Sequence, residues 1–133
     1  MEDFVSFEIA KKLKEKGFIE LCLACYIDDT LYYNYSNKNR VCYKDCYLSH
    51  NLMPECSVSD KFVDAPTISQ VLEWLRKEKK IYLELVIVVD GEYMCDIYKI
   101  DVRPIKCLGS TEYLKTYEDA ALAGIEYVLD NLI

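Results

Sequence analysis

The run from Ile81 to Val102, IYLELVIVVDGEYMCDIYKIDV, constrains the fold more than any other part of the chain. Ile81 to Val89 is a strongly apolar strand, and Asp90-Gly91 is a two-residue hairpin signal because both residues tolerate positive φ. Glu92 to Val102 then returns as the antiparallel partner until Arg103-Pro104 stops it. Two strands joined this tightly commit the chain to an antiparallel sheet.

Helical patterns flank the hairpin. In APTISQVLEWLRKEKK, Thr67 and Gln70 form a capping box, and Ile68, Val71, Leu72 and Leu75 make one apolar stripe. Trp74 falls off that stripe; a half-buried helix Trp is the commoner reading of such a position, and a second contact surface the alternative. Near the C-terminus Thr116 with Asp119 reads as a cap, and Tyr117, Ala121, Gly124, Ile125, Val128 and Leu132 form the inner face of a last helix. Its small residues, Ala120, Ala121, Ala123 and Gly124, permit close approach to the sheet.

The N-terminal half begins with a helix predicted over Ser6 to Lys16, capped by Ser6 and ended by Gly17, with Phe18 folding back on Leu13. From Ile19 to Ile27 the odd positions (Ile, Leu, Leu, Cys, Ile) predict a strand with one buried face. Asp28-Asp29 breaks it. A Tyr-rich hairpin follows from Leu31 to Tyr43, turned at Ser36-Asn37-Lys38-Asn39. Residues Lys44 to Ala65 follow neither period, carry Pro54, and read as a long irregular excursion. The expectation is one α+β domain over residues 1–133, an antiparallel sheet with about three helices, mainly on one face.

Composition narrows the function classes. With 133 residues, 52% of them hydrophobic, the chain can bury one core. MEDFVSFEIAKKLKEKG lacks the apolar region of a secretory signal, and LELVIVV is too short to span a bilayer. Seven irregularly spaced cysteines predict reduced thiols in a cytoplasm. A formal charge of -7 opposes general nucleic-acid binding, which needs clustered Lys and Arg. Glycines at 17, 91, 109 and 124 can form neither GxxxxGK nor GxGxxG.

Three chemistries stay open. Cys22-x-x-Cys25 and Cys42-x-x-x-Cys46, with His50 and Cys56, outline a zinc site, although an odd separation in a strand points Cys22 and Cys25 to opposite faces. The same strand context disfavours a redox CxxC, which works at a helix N-terminus. The single histidine, without a nucleophile elbow, gives no basis for a hydrolytic triad. Tyr32, Tyr33, Tyr35, Tyr43 and Tyr47, with Arg40 and Lys44 nearby, could stack and clamp a nucleotide-like molecule, or serve the protein interface that an edge hairpin offers.

The segments APTISQVLEWLRKEKKI, TYEDAALAGIEYVLDNLI and DFVSFEIAKKLKEKGF resemble small uncharacterised proteins of phages and mobile elements of gut Bacteroidales. That resemblance implies a phage or prophage protein working in the cytoplasm of the bacterial host, and it brings no activity, cofactor or catalytic residue with it. The leading expectation is a non-enzymatic accessory protein that binds a host protein or self-associates through the Tyr-rich hairpin and the following loop. An oligomer sequestering a nucleotide-like signal is the alternative, and a structural-zinc protein built on Cys42, Cys46, His50 and Cys56 is the third.

Overall fold

The computed structural model describes residues 3–36, 41–48, 51–52 and 62–133, with side chains for 3–32 and 63–133. The chain is α+β and divides into two compact units, Phe4–Thr67 and Ile68–Ile133, the second taking in Asp3. The strands accordingly form two antiparallel sheets, where the sequence pattern predicts one.

In the first unit, α1 (Phe7–Glu15) starts where Ser6 Oγ accepts the Ile9 N–H at 3.3 Å. It ends at Gly17, whose φ of 85° favours glycine. There Phe18 N–H reaches Leu13 O at 3.0 Å and Gly17 N–H reaches Lys14 O at 3.2 Å, the paired bonds of a Schellman stop. Ile9, Ala10, Leu13 and Phe18 are buried, so the predicted fold-back is observed.

The strand expected over Ile19 to Ile27 is shorter, and the residues before it do not bury the predicted face. Only Ala24–Ile27 is β1, and Ile19, Leu21 and Leu23 are exposed while Cys22 and Ala24 are fully buried. Ahead of the strand the small Cys22 is buried and the larger aliphatic side chains are not, while within β1 the adjacent Ala24 and Cys25 are both fully buried. Strands β2 (Thr30–Ser36), β3 (Val41–Leu48), β4 (Asn51–Leu52) and β5 (Phe62–Asp64) complete a sheet of order β4-β3-β2-β1-β5. Asp28, at φ 56°, makes the β1–β2 turn.

Two further corrections concern this sheet. Parts of the stretch 44–65 read as irregular are strand, because β3 continues through Leu48 and β4 and β5 pair with their neighbours. The Tyr-rich pair β2–β3 lies inside the sheet, flanked by β1 and β4, and is not an edge hairpin. Its predicted turn at 37–39 and Pro54 lie outside the described residues.

In the second unit, α2 (Ile68–Glu78), β6 (Ile81–Ile87), β7 (Tyr93–Lys99), β8 (Lys106–Ser110) and α3 (Tyr117–Asn131) follow in order. The sheet order is β6-β7-β8. The hairpin at Asp90-Gly91 is as predicted, though its loop spans Val89–Gly91 and is closed by Val88 N–H to Glu92 O at 2.8 Å. Both Asp90 and Gly91 have positive φ. Strand β8 has no counterpart in the sequence reading, since Lys106–Ser110 lacks alternation and contains Gly109.

Thr116 Oγ1 accepts the Asp119 N–H at 3.0 Å and starts α3 as expected. Ala120, Ala121, Gly124, Ile125, Val128 and Leu129 are its buried residues, whereas Tyr117 is 48% exposed and leaves the predicted inner face. α3 packs on β6 and β7, and α2 packs on β6 and on α3. A Cβ on Gly124 would sit 2.5 Å from Cys95 Sγ, so the small residue sets the depth at which α3 meets the sheet. Trp74 is buried at 6% exposure, with the Lys79 ammonium 5.4 Å from its ring centroid. It is core, and offers no second contact surface.

Candidate functional site

The residues that make β2 and β3 strands are those that give the site its character. Tyrosine and valine suit a pleated surface, and TLYYNYS and VCYKDCYL form two strands that pair on both sides of a register break. Tyr33 lies directly opposite Tyr47, and Tyr35 lies opposite Cys42. The register shifts between Tyr33 and Tyr35. On the other side of β2, Tyr32 pairs with Cys25 and Tyr33 with Ala24.

Of the residues singled out from sequence, the structure therefore brings Tyr32, Tyr33, Tyr35, Tyr43, Lys44 and Tyr47 onto two adjacent strands. Arg40 lies outside the described residues. Directly opposed aromatic residues contribute roughly 0.2–1 kcal/mol per pair to a sheet, and Tyr33 and Tyr47 occupy such positions.

The sulfur chemistry is settled differently along the chain. Cys22 and Cys25 are both buried, and Cys22 precedes the strand, so the opposite-face argument does not apply to it. Burial, followed by the nearby Asp64 and Glu20 carboxylates, pushes the Cys22 thiol up to about 12. Burial, then Asp96, does the same to Cys95, also to about 12. Such thiols stay protonated at neutral pH and make poor nucleophiles or ligands. Cys107 is exposed. Among the described residues no group of His, Cys, Asp and Glu is arranged to hold a metal ion. Cys42 and Cys46 fall on β3, while His50 and Cys56 lie outside the described residues.

A second feature was not legible in the sequence. A groove of about 420 Å³ runs between Leu72 and Arg76 of α2, residues Tyr82 to Leu85 of β6, and Tyr117 at the start of α3. No periodicity marks it, because it depends on how α2 lies beside one strand. The second sheet's open face carries Tyr98, whose phenol is pushed above its ordinary range first by desolvation and then by Asp96 and Glu84. Among the described residues no helix is long and apolar enough to cross a membrane.

Comparison of the chain with protein-family models, with curated proteins and with solved structures finds no match.

Proposed function

We propose that the chain acts by binding another protein, without catalysing a reaction, through the tyrosine-bearing strands β2 and β3. The partner in this reading is a protein of the bacterial host, and the chain is an accessory factor of a phage or mobile element in its cytoplasm. The observation that carries the reading is the register: Tyr33 faces Tyr47 across the strands, with Tyr32, Tyr35, Tyr43 and Lys44 on the same pair. Tyrosine concentrates at interface hot spots because it supplies a large rigid contact area and a polar tip at low entropic cost. The high thiol pKa values of Cys22 and Cys95 argue against a cysteine nucleophile at those two positions.

The test compares the parent protein with the Tyr33→Ala/Tyr35→Ala variant as bait in host lysate, with quantitative mass spectrometry of what each retains. The reading expects one protein enriched by the parent and lost by the variant, at a melting temperature little changed. Loss of folding in the variant would assign the tyrosines to the core. A melting temperature raised by nucleotides, with no protein retained, would replace the protein partner by a small ligand through mass action.

A further inference from the structure

In the second unit, β6 is an edge strand whose only described neighbour is β7. Two backbone bonds set its phase: Val88 N–H donates to Glu92 O, and Ile100 N–H donates to Lys80 O at 3.0 Å. Even-numbered residues of β6 therefore turn their N–H and C=O groups toward β7. By the alternation of an antiparallel ladder, Ile81, Leu83, Leu85 and Ile87 direct theirs outward.

Edges of this kind are usually guarded by proline, lysine or a bulge. IYLELVI has none of these, and its register with β7 is unbroken from Ile81↔Lys99 to Ile87↔Tyr93. The opposite edge, β8, is guarded: it begins at Lys106, and its register with β7 shifts between Ile97 and Tyr98.

The groove lies along the unguarded edge. Four consecutive β6 residues, Tyr82 to Leu85, line it, and consecutive residues point to opposite faces, so what they share is the backbone rim. Leu72 and Arg76 form the other wall. They are four residues apart on α2, about 6 Å along the axis, which matches the roughly 6.8 Å between alternate residues of a strand. The charge on that wall is positive. The only described electrostatic neighbour of Arg76 is Glu73, which is already bridged to Lys77 at 2.6 Å. Glu84, on the other side of the rim, is engaged by the Tyr98 hydroxyl.

We propose that β6 accepts an extended peptide segment of a protein partner as a fourth strand of this sheet. The segment places an apolar side chain against Leu72, Leu83 and Tyr117, and an acidic side chain two residues away against Arg76. Outward backbone groups of Leu83 and Leu85 supply the ladder bonds, and the groove wall supplies the side-chain selection. This surface is distinct from the tyrosine strands and stands whether or not those bind a partner.

The test is selection from a displayed library of random decapeptides on the intact chain, followed by hydrogen exchange with the most enriched peptide. The proposal expects an apolar-x-acidic pattern, slower exchange at the Leu83 and Leu85 amides, and no change at Tyr82 and Glu84, already in the ladder. Arg76→Glu should weaken that peptide about tenfold or more and convert the selected pattern to apolar-x-basic. Ile87→Pro should weaken every selected peptide; its side chain is 69% exposed and its N–H is outside the β6–β7 ladder, so the fold tolerates it. No enrichment, peptides indifferent to Arg76→Glu, or protection elsewhere would overturn the proposal. So would a dimer in native mass spectrometry that Ile87→Pro dissociates, because the occupant of the edge would then be a second copy.

Discussion

Replacing Gly124 by alanine sets two known effects against each other, and the structure decides between them. Alanine is favoured over glycine inside a helix by about 1 kcal/mol, so on an exposed face Gly124→Ala would stabilise α3. Here the added Cβ meets Cys95 Sγ at 2.5 Å, Leu83 Cδ2 at 2.9 Å and Cys95 Cβ at 3.2 Å. These contacts fall well inside the normal carbon separation of about 3.5–4 Å. The helix cannot retreat cheaply, since Ala121, Ile125 and Val128 on either side are fully buried. With two contacts under 3.0 Å, overpacking falls in the upper part of its usual range, about 2–3 kcal/mol, which leaves a net loss of about 1–2 kcal/mol. With a urea m-value of about 1.5 kcal/mol/M, the unfolding midpoint should fall by roughly 1 M at unchanged slope. Cys95→Ala, which removes the nearest atom, should couple favourably with Gly124→Ala in a double-mutant cycle. A Gly124→Ala protein as stable as its parent, or no coupling to position 95, would refute the reasoning.

Other expectations are simpler. Gly109→Ala should cost much less than Gly124→Ala in the same urea titration, because its Cβ meets only the end of the Tyr127 side chain, at 3.0 Å from the hydroxyl. Ser6→Ala and Thr116→Ala each remove an N-cap acceptor and should lower stability by about 1 kcal/mol, measured by chemical denaturation. Alkylation of the folded chain at pH 8, mapped by peptide mass spectrometry, should mark Cys107 well before Cys22 or Cys95, and unfolding should abolish the difference. Because those two thiols hold their protons to about pH 12 when folded but release them near 9 when unfolded, stability should be unaffected by them below pH 9. It should decline between pH 9 and 12, and Cys95→Ala should make that decline shallower.

What sequence reveals of this chain follows the range of the interactions involved. The stops and caps of α1 and α3 are local, decided within a few residues, and Ser6, Gly17, Phe18 and Thr116 behave as read. The Asp90-Gly91 hairpin is equally local. Burial sense and sheet membership are not. Ile19, Leu21 and Leu23 alternate like a buried strand yet stand exposed, and Trp74 sits inside although it lies off the apparent stripe. Both outcomes depend on what each segment packs against. Nothing in Lys106–Ser110 marks a strand except the free edge of β7 beside it. The tyrosines were legible as a cluster because they are close in the chain, but their place inside a sheet required β1 to pair with β2 and β4 with β3. The groove beside β6 joins α2, β6 and α3 residues from 72 to 117, and no motif joins them.

The central claim, that β2 and β3 present the partner-binding surface, is tested most directly by placing a photo-crosslinking amino acid at position 33 and, as a control, at Tyr113, which is 62% exposed in the other unit. After irradiation in host cells, the account predicts one discrete protein adduct from position 33 and none of that mass from position 113. Identical adducts from both positions, or none from position 33, would contradict it.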